Sequence, residues 1–251
     1  MLLLMVPVSG APVSGAPISA TMATSGFVSA EASTPSARVS GSAVAAVAPA
    51  LAPDVPSGFR DSVVGTVELP TGLAWTPDGR MLVTSKAGKL VIVGEGEEAN
   101  EVALNLESRV CSEKELGLVG IAVDPEFETN HFVYLYYTMR RGDLCGEEGG
   151  RMPVNRVGRF VLGDDGRIDA ASEMVIVDNI VSAGAHHVGG DLEFGKDGYL
   201  YISVGDGICT VTGTKRCGPL NTNSQNRAVP HGKILRVGRG AVHQSHPRVP
   251  A

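Results

Sequence analysis

Three stretches of this 251-residue chain repeat one order of elements, and that repetition restricts the fold more than any other feature. "GLAWTPDGRMLVTSKAGKLVIVG" starts at Gly72, "GIAVDPEFETNHFVYLYYT" at Gly120 and "GDLEFGKDGYLYISVGDG" at Gly190, 48 and then 70 residues apart. Each opens on glycine, runs through an alternating apolar strand into a turn, and continues as a second strand. "NRVGRFVLGDDG" and "GKILRVG" complete the second and third units. Asp78-Gly79, Asp165-Gly166 and Asp197-Gly198 are hairpin-turn dipeptides, and no segment sustains a helical period over ten or more positions. A β-sandwich also yields such hairpins, but several strands per unit and a period near 40–50 residues mark a propeller blade. The expected fold is therefore all-β, a β-propeller. Closed propellers have at least four blades, so about three units make the sequence read as a fragment.

The remainder divides the chain. Residues 1–56 are rich in Ala, Ser, Pro, Val and Gly and carry only Glu31, Arg38 and Asp54 as charges, a composition expected to stay disordered. Leu2–Val8 is a short apolar run without a basic flank, a weak export signal that suggests a secreted or periplasmic protein. Residues 57–237 hold the partial propeller, and 238–251 form an atypical tail in which the strand pattern stops. A net charge of −6 gives no electrostatic reason to expect nucleic acid as a partner. No apolar run reaches the roughly 18–20 residues of a membrane span. The four cysteines fit no zinc spacing. Cys209 and Cys217 flank a polar loop and read as a disulfide, which pairs Cys111 with Cys145 by default; four free thiols are the alternative.

Chemistry concentrates in residues 182–207, "SAGAHHVGGDLEFGKDGYLYISVGDG", where two of the six histidines stand at the mouth of a hairpin. With the turn at Lys196–Gly198, antiparallel partners sum to about 394 or 395. His187 then faces Gly207 or Ile208, and Asp206 faces Val188 or Gly189, at about 4.5–5.5 Å between α-carbons. A carboxylate beside an imidazole fixes its tautomer and raises its basicity, as a general base requires. The same pair serves equally as a staple for the hairpin. His186 is expected on the opposite face of the strand, and Gly189 and Gly190 are expected to leave room for a ligand beside the imidazole. "GEGEEA" at 94–99 reads as a turn, since its glutamates would repel a pyrophosphate. "GDDGRID" at 163–169 reads as an interblade turn, and Trp75 and the Tyr134/Tyr136/Tyr137 group read as packing residues.

"GLVGIAVDPEFETNHFVYLYYT", "HHVGGDLEFGKDGYLYISVGDG" and "HGKILRV" together resemble the glucose/sorbosone dehydrogenase family over residues 58–237, about half of a family domain. The resemblance implies a six-bladed β-propeller that oxidises an aldose or sorbosone-like sugar with pyrroloquinoline quinone (PQQ) and calcium, passing electrons to an acceptor. The same fold domain occurs in Hedgehog-interacting proteins, which implies the alternative of a non-catalytic module binding glycan or protein. By position, His187 matches the family's catalytic base and Asp206 the acid that orients it. Glu115 matches a position near the quinone. The family's calcium and quinone-carboxylate motifs follow the "GKILR" strand and have no counterpart here, so the metal ligands are unknown.

Overall fold

The computed structural model describes residues 55–94, 100–142, 145, 152–182, 184–207 and 222–238. The chain divides between Asp54 and Val55, and all described residues belong to the second unit. The low-complexity segment up to residue 54, the Cys209–Cys217 pair and the tail from residue 239 lie outside them.

Three antiparallel sheets follow one another in chain order. Blade 1 comprises β1 (Pro70–Trp75), β2 (Met81–Ser85), β3 (Lys89–Val93) and β4 (Glu101–Asn105). Blade 2 comprises β5 (Leu118–Val123), β6 (Phe132–Met139), β7 (Val154–Val161) and β8 (Met174–Val181). Blade 3 comprises β9 (Gly189–Phe194), β10 (Leu200–Val204) and β11 (Lys233–Val237). In each sheet the neighbours are consecutive strands, and the first strands β1, β5 and β9 lie side by side. This is the arrangement of propeller blades around an axis. A four-residue helix, α1 (Phe127–Asn130), stands in the β5–β6 connection.

Alternation along β6 builds the core. Val133, Leu135 and Tyr137 pack toward blade 1 with Leu82, Leu90, Leu104 and Phe160. Tyr134 and Tyr136 point the other way and join Leu192, Leu200, Ile202 and Val204 of blade 3. Successive strand residues face opposite sides of a sheet, so one run of apolar residues supplies two inter-blade cores.

The glycine that opens the second and third units has a steric reason. A Cβ on Gly120 would fall 1.8 Å from the carbonyl oxygen of Gly190. One on Gly190 would fall 2.4 Å from Cγ2 of Val119 and 2.9 Å from Cδ1 of Tyr136. Backbones of β5 and β9 approach closely only because neither residue carries a side chain.

Four expectations need correction. Blades 1 and 2 each have a fourth, outer strand (β4, β8) that the three-strand repeat missed. The 163–169 turn joins β7 to β8 within blade 2 rather than linking blades. Trp75 is 57% exposed, as is Leu73, because both stand on the face of β1 turned away from blade 2. Gly190 opens no ligand space, since Val119 and Tyr136 fill the volume beside it.

Candidate active site

The mouth of the β9–β10 hairpin is set by register and then by a bulge. Leu200 pairs with Phe194, Tyr201 with Glu193 and Ile202 with Leu192, then the register slips so that Val204 pairs with Gly189. Beyond the strands the pairing continues: Gly205 N–H donates to Val188 O at 3.2 Å and Gly207 N–H to His187 O at 3.2 Å. The Gly205-Asp206-Gly207 turn thus lies directly against His187. A Cβ on Gly205 would sit 1.7 Å from His187 O, so only glycine permits the contact.

Here the structure brings His187 and Asp206 together, with Nδ1 of the ring 2.9 Å from Oδ1 of the carboxylate. An ionised carboxylate only accepts hydrogen bonds, so Nδ1 carries the proton and Nε2 holds the lone pair in the neutral ring. Nε2 meets no partner among the described residues, and half of the His187 side chain is exposed. Asp206 is held from behind: Asn223 Nδ2 donates to its carbonyl oxygen at 2.9 Å, and Gly232 N–H donates to Gly205 O at 2.9 Å. The Lys233 ammonium donates to the carbonyls of Asn223, Ser224 and His231 at 3.0, 3.1 and 2.8 Å, closing this support. Asn223 and Lys233 carried no sequence signal beyond the "HGKILRV" segment.

His186 does not take the opposite strand face. Ala185 and His187 both adopt left-handed backbone, with φ of 57° and 53°, so the chain is coiled rather than extended here and period-two alternation does not apply. Nδ1 of His186 instead donates to Glu115 Oε1 at 3.2 Å, and Glu115 Oε2 accepts the backbone N–H of His187 at 2.5 Å. The Glu115 N–H closes the junction by donating to Ala185 O at 3.2 Å. Partial burial would raise the Glu115 carboxyl, but these hydrogen bonds and the nearby imidazoles hold it below its ordinary value. All three sequence-predicted residues, Glu115, His187 and Asp206, therefore meet at one mouth, with His186 added. Glu115 reaches it through the histidines, both of its oxygens engaged by their loop.

An apolar floor lies beneath. Cys111 is disulfide-bonded to Cys145 with 5.4 Å between α-carbons, the pairing expected by default. Cys111 packs with Leu116 and Val188, flanked by Cys145 and Ala185. Among the described residues no group of three His, Cys, Asp or Glu side chains could hold a metal ion, and no helix is long and apolar enough to cross a membrane.

The sequence model of the family described as glucose/sorbosone dehydrogenase matches residues 67–250. An uncharacterized protein of Synechocystis sp. is 30% identical over 187 residues, covering 70% of this chain and 42% of that protein. Human Hedgehog-interacting protein is 28% identical over 158 residues, 59% of this chain and 22% of its own length. Among solved structures, the PQQ-bound form of aldose sugar dehydrogenase from Streptomyces coelicolor superposes with a TM-score of 0.56 at 26% identity. That match covers 71% of this chain and 47% of the Streptomyces protein. The chain spans less than half the length of each of these proteins.

Proposed function

Since the chain belongs to the glucose/sorbosone dehydrogenase family, we propose that it serves PQQ-dependent oxidation of an aldose or sorbosone-like sugar, with His187 as general base. The observation that carries this reading is the 2.9 Å contact between His187 Nδ1 and Asp206 Oδ1. It directs the lone pair of Nε2 outward to accept the proton of the sugar hydroxyl. As that proton arrives the ring becomes cationic, and the Asp206 carboxylate stabilises the charge while fixing the tautomer. Asp206 acts through His187 and is a positioning residue. PQQ, when bound, supplies the acceptor for the hydrogen and electron pair leaving the same carbon, which becomes a carbonyl. The described residues fit the proton-accepting half of this chemistry. Calcium and the quinone's carboxylates have no residue of this chain assigned to them. Glu115, expected beside the quinone, enters the reading through the histidine loop it holds. The Cys111–Cys145 disulfide supports the exported location suggested by the sequence.

The test supplies the protein with PQQ, calcium and an artificial electron acceptor and screens aldoses. We expect acceptor reduction with at least one sugar, and His187→Gln to lower kcat/KM by about 10²–10⁴-fold. Acceptor reduction that His187→Gln leaves unchanged would overturn the base assignment. A second reading, a non-catalytic propeller binding glycan or protein, is favoured by the 28% identity with human Hedgehog-interacting protein. It requires that no quinone absorbance stays with the protein through gel filtration in calcium.

A further inference from the structure

The histidine loop rests on two pieces of chain that are distant in sequence and joined by a covalent bond. Segment 109–111 pairs with the end of β6: Val110 bridges Met139, Arg140 N–H donates to Arg109 O at 2.8 Å, and Cys111 N–H donates to Thr138 O at 2.9 Å. Arg109 is further tied by an ion pair to Glu173. Thr138 N–H in turn donates to Gly117 O at 2.9 Å. One residue, Thr138, thus clips both ends of the 111–117 loop, and the excursion between them carries Glu115 to the histidines. The interior of that excursion holds Leu116, fully buried, against Cys111 and Val188. Leu116 follows Glu115 in sequence and Val188 follows His187, so whatever fixes these two apolar side chains fixes the two polar ones. Cys145, between β6 and β7 in the chain, is bonded to Cys111 and packs against the same floor.

We propose that the Cys111–Cys145 disulfide is a positioning element of the active site, an oxidation-dependent floor that holds Glu115 and the two histidines in register. Reduction needs a thiol or dithiol reductant, which takes up the oxidising equivalent as its own disulfide while two protein thiols form. Cys145, no longer bonded to Cys111, is then not held against Leu116 and Val188. The effect reaches the proton acceptor through packing, with no contact between sulfur and substrate. The inference rests on His187 being that acceptor, but its test needs no sugar, quinone or turnover.

The experiment follows the imidazole Cε1–H signals by NMR in the full 251-residue chain carrying Cys209→Ser and Cys217→Ser, so that one disulfide remains to be reduced. On reduction the His186 and His187 signals should shift and broaden, and reoxidation should restore them. His131, at the opposite end of β6 where it stacks on Phe127, should not change. Unaltered His186 and His187 signals in protein with both thiols free would overturn the proposal, whether or not the protein oxidises any sugar. Should reduction unfold the chain, seen as loss of the His131 signal too, Leu116→Val decides with the disulfide intact. That trimmed floor should move both signals, and unmoved signals would again overturn the proposal.

Discussion

Blade 2 and the mouth of blade 3 use the same kinds of residue under opposite rules. In blade 2 the backbone is extended and side-chain direction is decided by parity. Odd positions of β6 face blade 1 and even positions face blade 3, and Tyr134, Tyr136 and Tyr137 are all fully buried as a result. At the mouth of blade 3 parity decides nothing. Ala185, His187, Gly189, Gly190 and Gly207 all have positive φ, so each residue turns the chain afresh, and direction is set by hydrogen bonds to Glu115, Asp206 and Gly205. The first region derives its shape from burying surface. The second derives it from a few polar contacts laid over a small apolar floor. Stability should therefore reside in the first and be nearly insensitive to the second, while chemistry depends on the second.

The contrast is broken most sharply at the glycine where the regions adjoin. Gly120→Ala places a methyl carbon where the Gly190 carbonyl oxygen already stands, and neither backbone can retreat without parting β5 from β9. Urea unfolding followed by circular dichroism should show a loss of more than about 3 kcal/mol, at the severe end of overpacking changes. An unchanged midpoint would mean that the blades do not meet as closely as this geometry requires.

A smaller effect is expected where blade 2 reaches into the mouth. The Tyr136 hydroxyl donates to Val188 O at 2.9 Å, buried, and burial pushes its phenol above the ordinary range so that it stays protonated. Tyr136→Phe leaves that carbonyl with the Gly205 N–H alone and should cost about 0.5–1.5 kcal/mol, the net worth of one hydrogen bond. Because Val188 adjoins His187, the same variant should also shift the His187 imidazole signal. A stability loss with no such shift would show that the two regions are mechanically separate.

What could be read in the sequence follows the same division. The hairpin sum of 394 holds from Leu200 to Ile202 because alternation and an Asp-Gly turn determine register. That register carries the two strands to the mouth, and the slip between Ile202 and Val204, which the alternation does not announce, completes the approach of Asp206 to His187. The place of His186 was not legible, because nothing in "GAHHVGG" announces that a non-glycine residue will adopt a left-handed backbone on either side of it. Strands β4 and β8 were missed for another reason. As outermost strands they pair on one edge only, and their exposed residues Val102 and Val181 blur the alternation. From the sequence Gly190 reads as an opening, whereas in the fold it is a contact. A missing side chain looks the same in a sequence whether a ligand or a neighbouring backbone takes its place.

The least effect on stability, and the most local, concerns acid. Glu115 titrates below its ordinary value because it accepts from His187 N–H and His186 despite partial burial. A carboxyl whose folded pKa is depressed adds stability that is fully present above its unfolded value, near 4.3, and fades as pH falls through the folded one. The Glu115 side chain is 49% exposed, so solvent screening leaves only a fraction of a kcal/mol to lose. Global unfolding should barely register it. The loop should: amide exchange at His187, whose N–H is bound to Glu115, is expected to quicken relative to the β6 amides as pH drops below 4, after correction for the intrinsic rate. Glu115→Gln keeps an acceptor oxygen but has no charge to titrate, so its His187 exchange should lose this extra acid dependence. If the variant and the native chain quicken alike, the carboxylate is a bystander, and the floor beneath it is what holds the histidine loop.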